Sequence, residues 1–327
     1  MSATWQPLLD LVASCRRLVL TTHMRPDGDG LGSMKALALA LASLGKETRL
    51  VIPTHMPERY AFLDPEGQFV HFDRRPDGFL DGVDGLIVMD TGTWNQLGPF
   101  ADWVRSAPVP RLVIDHHLTQ DDLGGPRIVD TSAEATGRMA YEAIAALGVA
   151  LSPAAATALF VAVAMDTGWF RHSNTTARTH ELAAALVAAG ATPDLLYQQL
   201  FEQSSLARLK LTGKVLDRLS VTASGLVAVS QVRLTDYVQT GALPPDSEDL
   251  VNFTLAVKDV KVGILLLEQP AGGVKVSLRS RCKLNVGRLA EQFGGGGHAA
   301  AAGAIVHAPI EEVEQRLLLK ILPELEP

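Results

Sequence analysis

Cysteine is nearly missing from this sequence: Cys15 and Cys282 are the only two in 327 residues. Two cysteines cannot build a disulfide framework or a thiolate zinc cage within one chain, so both read as inert thiols. Aromatic residues are scarce too, at 6% with four Trp and four Tyr. That argues against the stacking platforms that follow a long single strand along a basic groove. The longest apolar run, 154–165, falls well short of the roughly 20 residues that span a bilayer, so no membrane partner is expected. The first eleven residues lack a basic start followed by an apolar signal core, which makes a cytoplasmic location the default expectation. Positive charge is also short. Lys and Arg total 29 against 36 Asp and Glu, a net charge of −7. Wholesale binding of long duplex nucleic acid needs a broad Lys/Arg surface and is disfavoured. A short anionic substrate held at a local cation site is not excluded, because a bound cation inverts the local charge logic.

With 47% hydrophobic and 20% charged residues, the composition is that of a globular protein, and the length predicts two domains. Strand patterns at 17–22, 48–52, 85–89 and 111–114 are continuous runs of Leu, Ile and Val rather than alternations. Continuous runs suit a parallel sheet covered on both faces. Helices are expected at 34–44, closed by Gly45, and at 135–147, 153–165 and 177–189. The first half therefore reads as an α/β domain with a doubly wound, mostly parallel sheet, over 1–191. A polar helical stretch, 192–219, reads as a connector. Strands at 226–232, 260–268 and 274–281, a helix at 286–293, a small apolar strand and a final helix at 310–322 make a smaller α+β domain over 220–327.

In doubly wound sheets, ligands bind beyond the carboxyl ends of the strands. The ends here are unusually acidic and imidazole-rich. The first strand runs into His23-Met-Arg-Pro-Asp27-Gly-Asp29-Gly-Leu-Gly-Ser33, the 85–89 strand into Asp90-Thr-Gly, and the 111–114 strand into Asp115-His116-His117. The helix at 153–165 ends in Asp166-Thr-Gly. Taken singly, Asp-Gly and Asp-Thr-Gly are ordinary turns. Taken together, they bring at least five carboxylates and three imidazoles to one sheet edge. Clustered carboxylates raise one another's pKa unless a cation compensates. Oxygen and imidazole donors without thiolate suit Mn²⁺, Mg²⁺ or a similar ion, and a carboxylate bridging two ions is typical of two-metal phosphoester hydrolysis.

In this order, the motifs resemble those of the DHH phosphoesterase superfamily. Gly168-Trp-Phe170, Ser173-Asn-Thr-Thr and Gly294-Gly-Gly-Gly-His298-x-x-Ala-Ala-Gly303 extend the resemblance to its nanoRNase/pAp phosphatase branch and the DHH-associated C-terminal domain. The resemblance implies two Mn²⁺ ions, with Mg²⁺ or Co²⁺ as substitutes. His23, Asp27 and Asp90 would hold one ion, and Asp29, Asp90, His116 and Asp166 the other. It further implies that Asp115 orients a ligand imidazole and that His117 faces the substrate phosphate. Asp90, Asp115 and His117 are thus the expected catalytic group. Independently, glycines allow close backbone approach and an anion-binding nest, which makes Gly295, Gly296 and Gly297 candidates for substrate binding. His298 adds a donor at the end of that run, and Arg279 can grip a phosphate bidentately. Arg281 and Lys283 are expected to be solvated, as is Arg138 at a helix start, and Asp130 is expected in a turn.

The implied activity is hydrolysis of short oligoribonucleotides to 5′-mononucleotides, and of 3′-phosphoadenosine 5′-phosphate (pAp) to AMP, by a metal-activated water. Alternatives are a linear or cyclic dinucleotide phosphodiesterase, a single-strand exonuclease, and a non-catalytic nucleotide-binding regulator. Family II pyrophosphatase shares the metal motifs but lacks the glycine-His-Ala-Ala-Gly segment. A homodimer is compatible with the sequence.

Overall fold

The computed structural model describes residues 4–222 and 224–325. Residues 1–3, part of the stretch read for a signal, and residues 326–327, at the end of the second domain as read, lie outside the described residues. The chain divides into two compact units, Met1–Gln203 and Ser204–Pro327.

The first unit carries six strands: β1 (Arg17–Thr21), β2 (Glu47–Ile52), β3 (Phe69–His71), β4 (Gly85–Met89), β5 (Arg111–Asp115) and β6 (Arg127–Val129). They form one sheet in the order β3-β2-β1-β4-β5-β6, and every pairing in it is parallel. The expected strands are present, and both faces of the sheet are covered. One side of β1, β4 and β5 (Leu18, Leu20, Ile87, Met89, Leu112, Ile114) packs into a large core. The other (Val19, Leu86, Val88, Val113) packs against Phe72, Leu97, Phe100 and Val104. That two-sided burial explains the continuous apolar runs.

Among the described residues this unit also has seven α-helices, besides short 3-10 turns: α1 (Gln6–Ser14), α2 (Gly28–Ser43), α3 (Ala101–Ser106), α4 (Thr136–Ala146), α5 (Pro153–Asp166), α6 (Ala177–Ala188) and α7 (Pro193–Phe201). The sequence places the start of α2 at residue 34, whereas the helix begins at Gly28. The Asp27 carboxylate caps it, accepting from the amides of Asp29 and Gly30, so a segment that looks like a glycine turn is a capped helix start. Its glycines permit close packing. A Cβ on Gly32 would lie 2.3 Å from the Ala158 carbonyl oxygen of α5, and one on Gly30 would lie 2.3 Å from the Thr22 hydroxyl.

The second unit has a mixed six-stranded sheet. Its elements are α8 (Leu206–Asp217), β7 (Ser220–Val221), β8 (Val227–Val232), α9 (Leu234–Thr240), β9 (Val262–Glu268), β10 (Val274–Ser280), α10 (Val286–Glu291), β11 (Gly296–Gly297), β12 (Ala301–Val306) and α11 (Ile310–Leu325). The strand order is β11-β12-β10-β9-β8-β7, with β8 and β9 parallel and the other neighbours antiparallel. Helices α10 and α11 bury Val286, Leu289, Val313, Leu317 and Ile321 against one face. On the other face, Leu211 and Val215 of α8 pack with Val232, Tyr237, Leu265 and Leu267. The stretch 192–219, read as a connector, is therefore shared: α7 belongs to the first unit and α8 to the second. Among the described residues, no helix is long and apolar enough to cross a membrane.

Candidate metal centre

In the order β3-β2-β1-β4-β5-β6, the chain reverses its winding direction between β1 and β4, the position where a doubly wound sheet opens a crevice at its carboxyl edge. His23, Asp27 and Asp29 follow β1, Asp90 follows β4, and His116 and His117 follow Asp115 at the end of β5. Asp166 ends α5. Asp90 adopts φ 61°, a left-handed conformation that costs a non-glycine residue of order 1–3 kcal/mol. It turns the chain sharply at the strand end.

Two sets of donors converge on Asp90. His23 Nε2 lies 3.3 Å from Asp90 Oδ2 and 3.6 Å from Asp27 Oδ1. His116 Nε2 lies 3.6 Å from Asp90 Oδ1, 3.7 Å from Asp29 Oδ2 and 3.7 Å from Asp166 Oδ2. The groups His23–Asp27–Asp90 and Asp29–His116–Asp166 each gather three donor atoms within 4.8 Å of one another, as does Asp90–His116–His117, and each could hold a metal ion. All the residues expected to ligate metal thus meet at one place.

Without cations this assembly is electrostatically unfavourable. Burial, then the charges of Asp90, Asp166 and Asp27, pushes the Asp29 carboxyl well above its ordinary range. Burial pushes Asp166 up to about 6; His116 opposes the shift, while Asp90 and Asp27 add to it. Burial disfavours the charged form of His23, but the Asp27 and Asp90 carboxylates outweigh it and push its pKa up to about 10. Hard oxygen donors with imidazole nitrogens, mutually repelling and with Asp29 and Asp90 buried, fit divalent cations such as Mn²⁺ or Mg²⁺.

The supporting contacts differ in one respect from expectation. Asp115, fully buried, accepts from the backbone amide of His117 and pairs with His117 Nδ1 at 2.8 Å. It therefore orients His117, whose pKa this bond raises. The His116 ring is set instead by the Ala133 carbonyl, 3.1 Å from Nδ1, which leaves Nε2 toward the carboxylates. Gln120 Nε2 also donates to Asp115. His117 is half-exposed and lines a cavity of about 570 Å³ together with His23, Asp27, Asp90, Asp166 and Arg25.

Several contributors escape a reading of the sequence. The amides of Thr136 and Gly137 donate to Asp29 at 2.7 and 2.8 Å, and the Thr136 hydroxyl donates to Asp90 Oδ1 at 3.0 Å. Arg138, expected to be solvated, is 8% exposed. It pairs bidentately with Glu134 and donates to the Arg178 carbonyl. The reason is geometric: from the first turn of α4, its guanidinium reaches back to the buried Glu134. Asp130 holds a turn, accepting from the Ser132 amide and hydroxyl. Trp169 packs edge-on with Phe160, Tyr197 and Phe201, an aromatic cluster that does not line the cavity.

In the second unit, Arg279 of β10 reaches Asn252 Oδ1 at 3.2 Å and Asp249 Oδ1 at 3.8 Å. The amides of Gly295 and His298 donate to the Ala290 and Ala301 carbonyls, while Gly296 and Gly297 pair with β12. The run is a tight hairpin: a Cβ on Gly295 would lie 2.1 Å from the Gly303 carbonyl oxygen. Its glycines thus serve close backbone packing, and the Gly295 amide expected in an anion nest already has a main-chain partner.

Residues 17–165 match the N-terminal domain of the DHH family, and residues 226–324 match the DHHA1 domain. The chain is similar to the bifunctional oligoribonuclease and PAP phosphatase NrnA of Thermus thermophilus, with 31% identity across 94% of this chain and 90% of that protein. The Bacillus subtilis protein of the same name is 26% identical across 89% of this chain and 90% of its own length. Among solved structures, an exopolyphosphatase-related protein from Bacteroides fragilis superposes with a TM-score of 0.86 at 25% identity, covering 100% of this chain and 99% of that one. The chain belongs to the DHH family and, within it, groups with the proteins named bifunctional oligoribonuclease and PAP phosphatase.

Proposed function

We propose that this chain is a metal-dependent phosphoesterase that releases 5′-mononucleotides from short oligoribonucleotides and removes the 3′-phosphate of pAp. The observation that carries this reading is the convergence of two donor sets on Asp90, one from β1 and the other from β1, β5 and α5. His23, Asp27 and Asp90 would hold one divalent ion, and Asp29, Asp90, His116 and Asp166 the other, Mn²⁺ being the ion we favour. When bound, such a pair lowers the pKa of water toward neutrality and offsets charge on the transferring phosphoryl group.

The chain's own residues supply position and a proton. Asp90 directs one carboxylate oxygen to each donor set, which would let it serve as the shared ligand. His117 has Nδ1 committed to Asp115, so Nε2 is the atom left to meet the substrate phosphate or to donate a proton to the leaving oxygen. Within the second unit, Arg279 and the hairpin residues Gly296, Gly297 and His298 are the candidates for contacting a substrate phosphate. The Arg279 guanidinium donates from Nε to Asn252 and from Nη1 to the Leu278 carbonyl, and Nη2 lies 3.8 Å from an Asp249 carboxylate oxygen, so a bidentate anion would take the place of one of these contacts. The two NrnA relatives carry these two activities in their names over nearly the full chain, which supports the choice of substrates.

The test compares initial rates of wild type and Asp90→Ala with Mn²⁺ on pAp, oligoribonucleotides from dimers to long chains, a cyclic dinucleotide and pyrophosphate. Wild type is expected to favour pAp and the shortest RNAs, and Asp90→Ala to lose at least about a thousandfold in rate, the scale of removing a group that acts as a unit with its neighbours. Preference for the cyclic dinucleotide, pyrophosphate or long chains, or an Asp90→Ala variant as active as wild type, would overturn the proposal.

A further inference from the structure

The turn that opens α4 contacts three residues of the candidate metal centre, although none of the candidate ligands lies in it. The Ala133 carbonyl lies 3.1 Å from His116 Nδ1, and the Thr136 and Gly137 amides hold the two oxygens of Asp29. The Thr136 hydroxyl donates to Asp90 Oδ1, the oxygen that also faces His116. Asp90 Oδ2 faces His23 instead. A donor on one oxygen of a carboxylate shared between two donor sets fixes the rotation of the carboxylate plane, and so fixes which oxygen serves which set.

The turn itself is braced. The buried Glu134–Arg138 pair spans its first residues, and Arg138 ties it to the Arg178 carbonyl. Asn174 Nδ2 donates to both the Glu134 carbonyl at 3.0 Å and the Asp166 carbonyl at 3.3 Å. The turn therefore shares a brace with the end of α5, where Asp166 sits. Gly137 leaves no room for drift, because a Cβ there would lie 2.6 Å from Ala162 Cβ of α5.

From these contacts we infer that Thr136 is a positioning residue for the metal centre: its hydroxyl sets the orientation of Asp90, and its turn registers Asp29 and His116 against Asp90. The inference rests on the ligand assignment proposed above. Partners that orient metal ligands typically alter metal affinity or activity by 10–100-fold when removed. Thr136→Val keeps the shape and both main-chain amides but removes the hydroxyl. Thr136→Ala removes hydroxyl and methyl, and Thr136→Ser keeps the hydroxyl alone.

The experiment titrates Mn²⁺ into metal-free wild type and the three variants by calorimetry, alongside thermal melts of the metal-free proteins and kcat and KM on pAp. Val and Ala are expected to bind Mn²⁺ 10–100-fold more weakly, with kcat lowered and KM for pAp little changed, while Ser stays within about threefold of wild type. Should the Val variant fail to fold, the Ala and Ser variants differ in the same hydroxyl and carry the comparison. Wild-type Mn²⁺ affinity and kcat in the folded Val or Ala variant would overturn the inference, as would a Ser variant as impaired as Ala. A wild-type protein that binds no Mn²⁺ would instead overturn the ligand assignment on which it rests.

Discussion

Asp29 is 2% exposed and has Asp27, Asp90 and Asp166 as charged neighbours, an arrangement that folding alone would not favour. The same tension can be read at Asp166, whose pKa burial and acidic neighbours push up to about 6. Its sign is definite. A carboxyl whose folded-state pKa is raised is protonated in both states below about pH 4 and is neutral in its effect there. As pH rises through 4 to 6, the unfolded chain ionises first and the metal-free fold loses stability. Metal-free Asp166→Asn is therefore expected to melt a few degrees above wild type at pH 7.5, with the gap closing by pH 4. Scanning calorimetry in excess chelator checks this, and an Asn variant that melts below wild type at pH 7.5 would refute it. The clustering of the candidate ligands was legible because their donors follow strand or helix ends, a place where the topology gives acidic residues little other use. Thr136 was not legible. A Thr-Gly pair at a helix start is ordinary, and its partners Asp90 and Asp29 lie 46 and 107 residues away.

At the scale of elements, the strands were readable because apolar runs covered on both faces have few alternatives. The start of α2 was not, because Gly28, Gly30 and Gly32 resemble a turn until their neighbours are known. Each glycine is matched to an atom of Thr22, α5 or the 58–63 turn rather than to a loop conformation. Gly32→Ala should thus destabilise the protein by about 1–3 kcal/mol, the usual cost of overpacking, since the opposing Ala158 atom is a backbone carbonyl. Gly213, in the middle of α8, faces open space, and Gly213→Ala should stabilise by about 0.5–1 kcal/mol through helix propensity. Urea unfolding of both variants measures the two opposite signs; a Gly32→Ala variant as stable as wild type would contradict the packing account. Helix α8 also shows why its polar sequence suggested a connector. It buries only Leu211 and Val215, too narrow a stripe to announce which sheet it covers.

For the whole molecule, a net charge of −7 first looked ill-suited to handling nucleic acid. Four of the acidic residues, Asp27, Asp29, Asp90 and Asp166, gather at the candidate centre, where two divalent ions would bring four positive charges. On the proposed ligand assignment, part of the acidity would serve a local cation site rather than repel phosphate in general. The family likeness over both units, residues 17–165 and 226–324, accords with a chain in which one unit carries the acidic centre and the other carries Arg279. The most direct test is the stoichiometry of Mn²⁺ binding to metal-free protein at pH 7.5, measured by calorimetry on wild type and Asp90→Ala. Wild type is expected to bind two ions per chain and Asp90→Ala to lose both at comparable affinity, because Asp90 faces both donor sets. One ion or none on wild type, or two retained by Asp90→Ala, would contradict the ligand assignment.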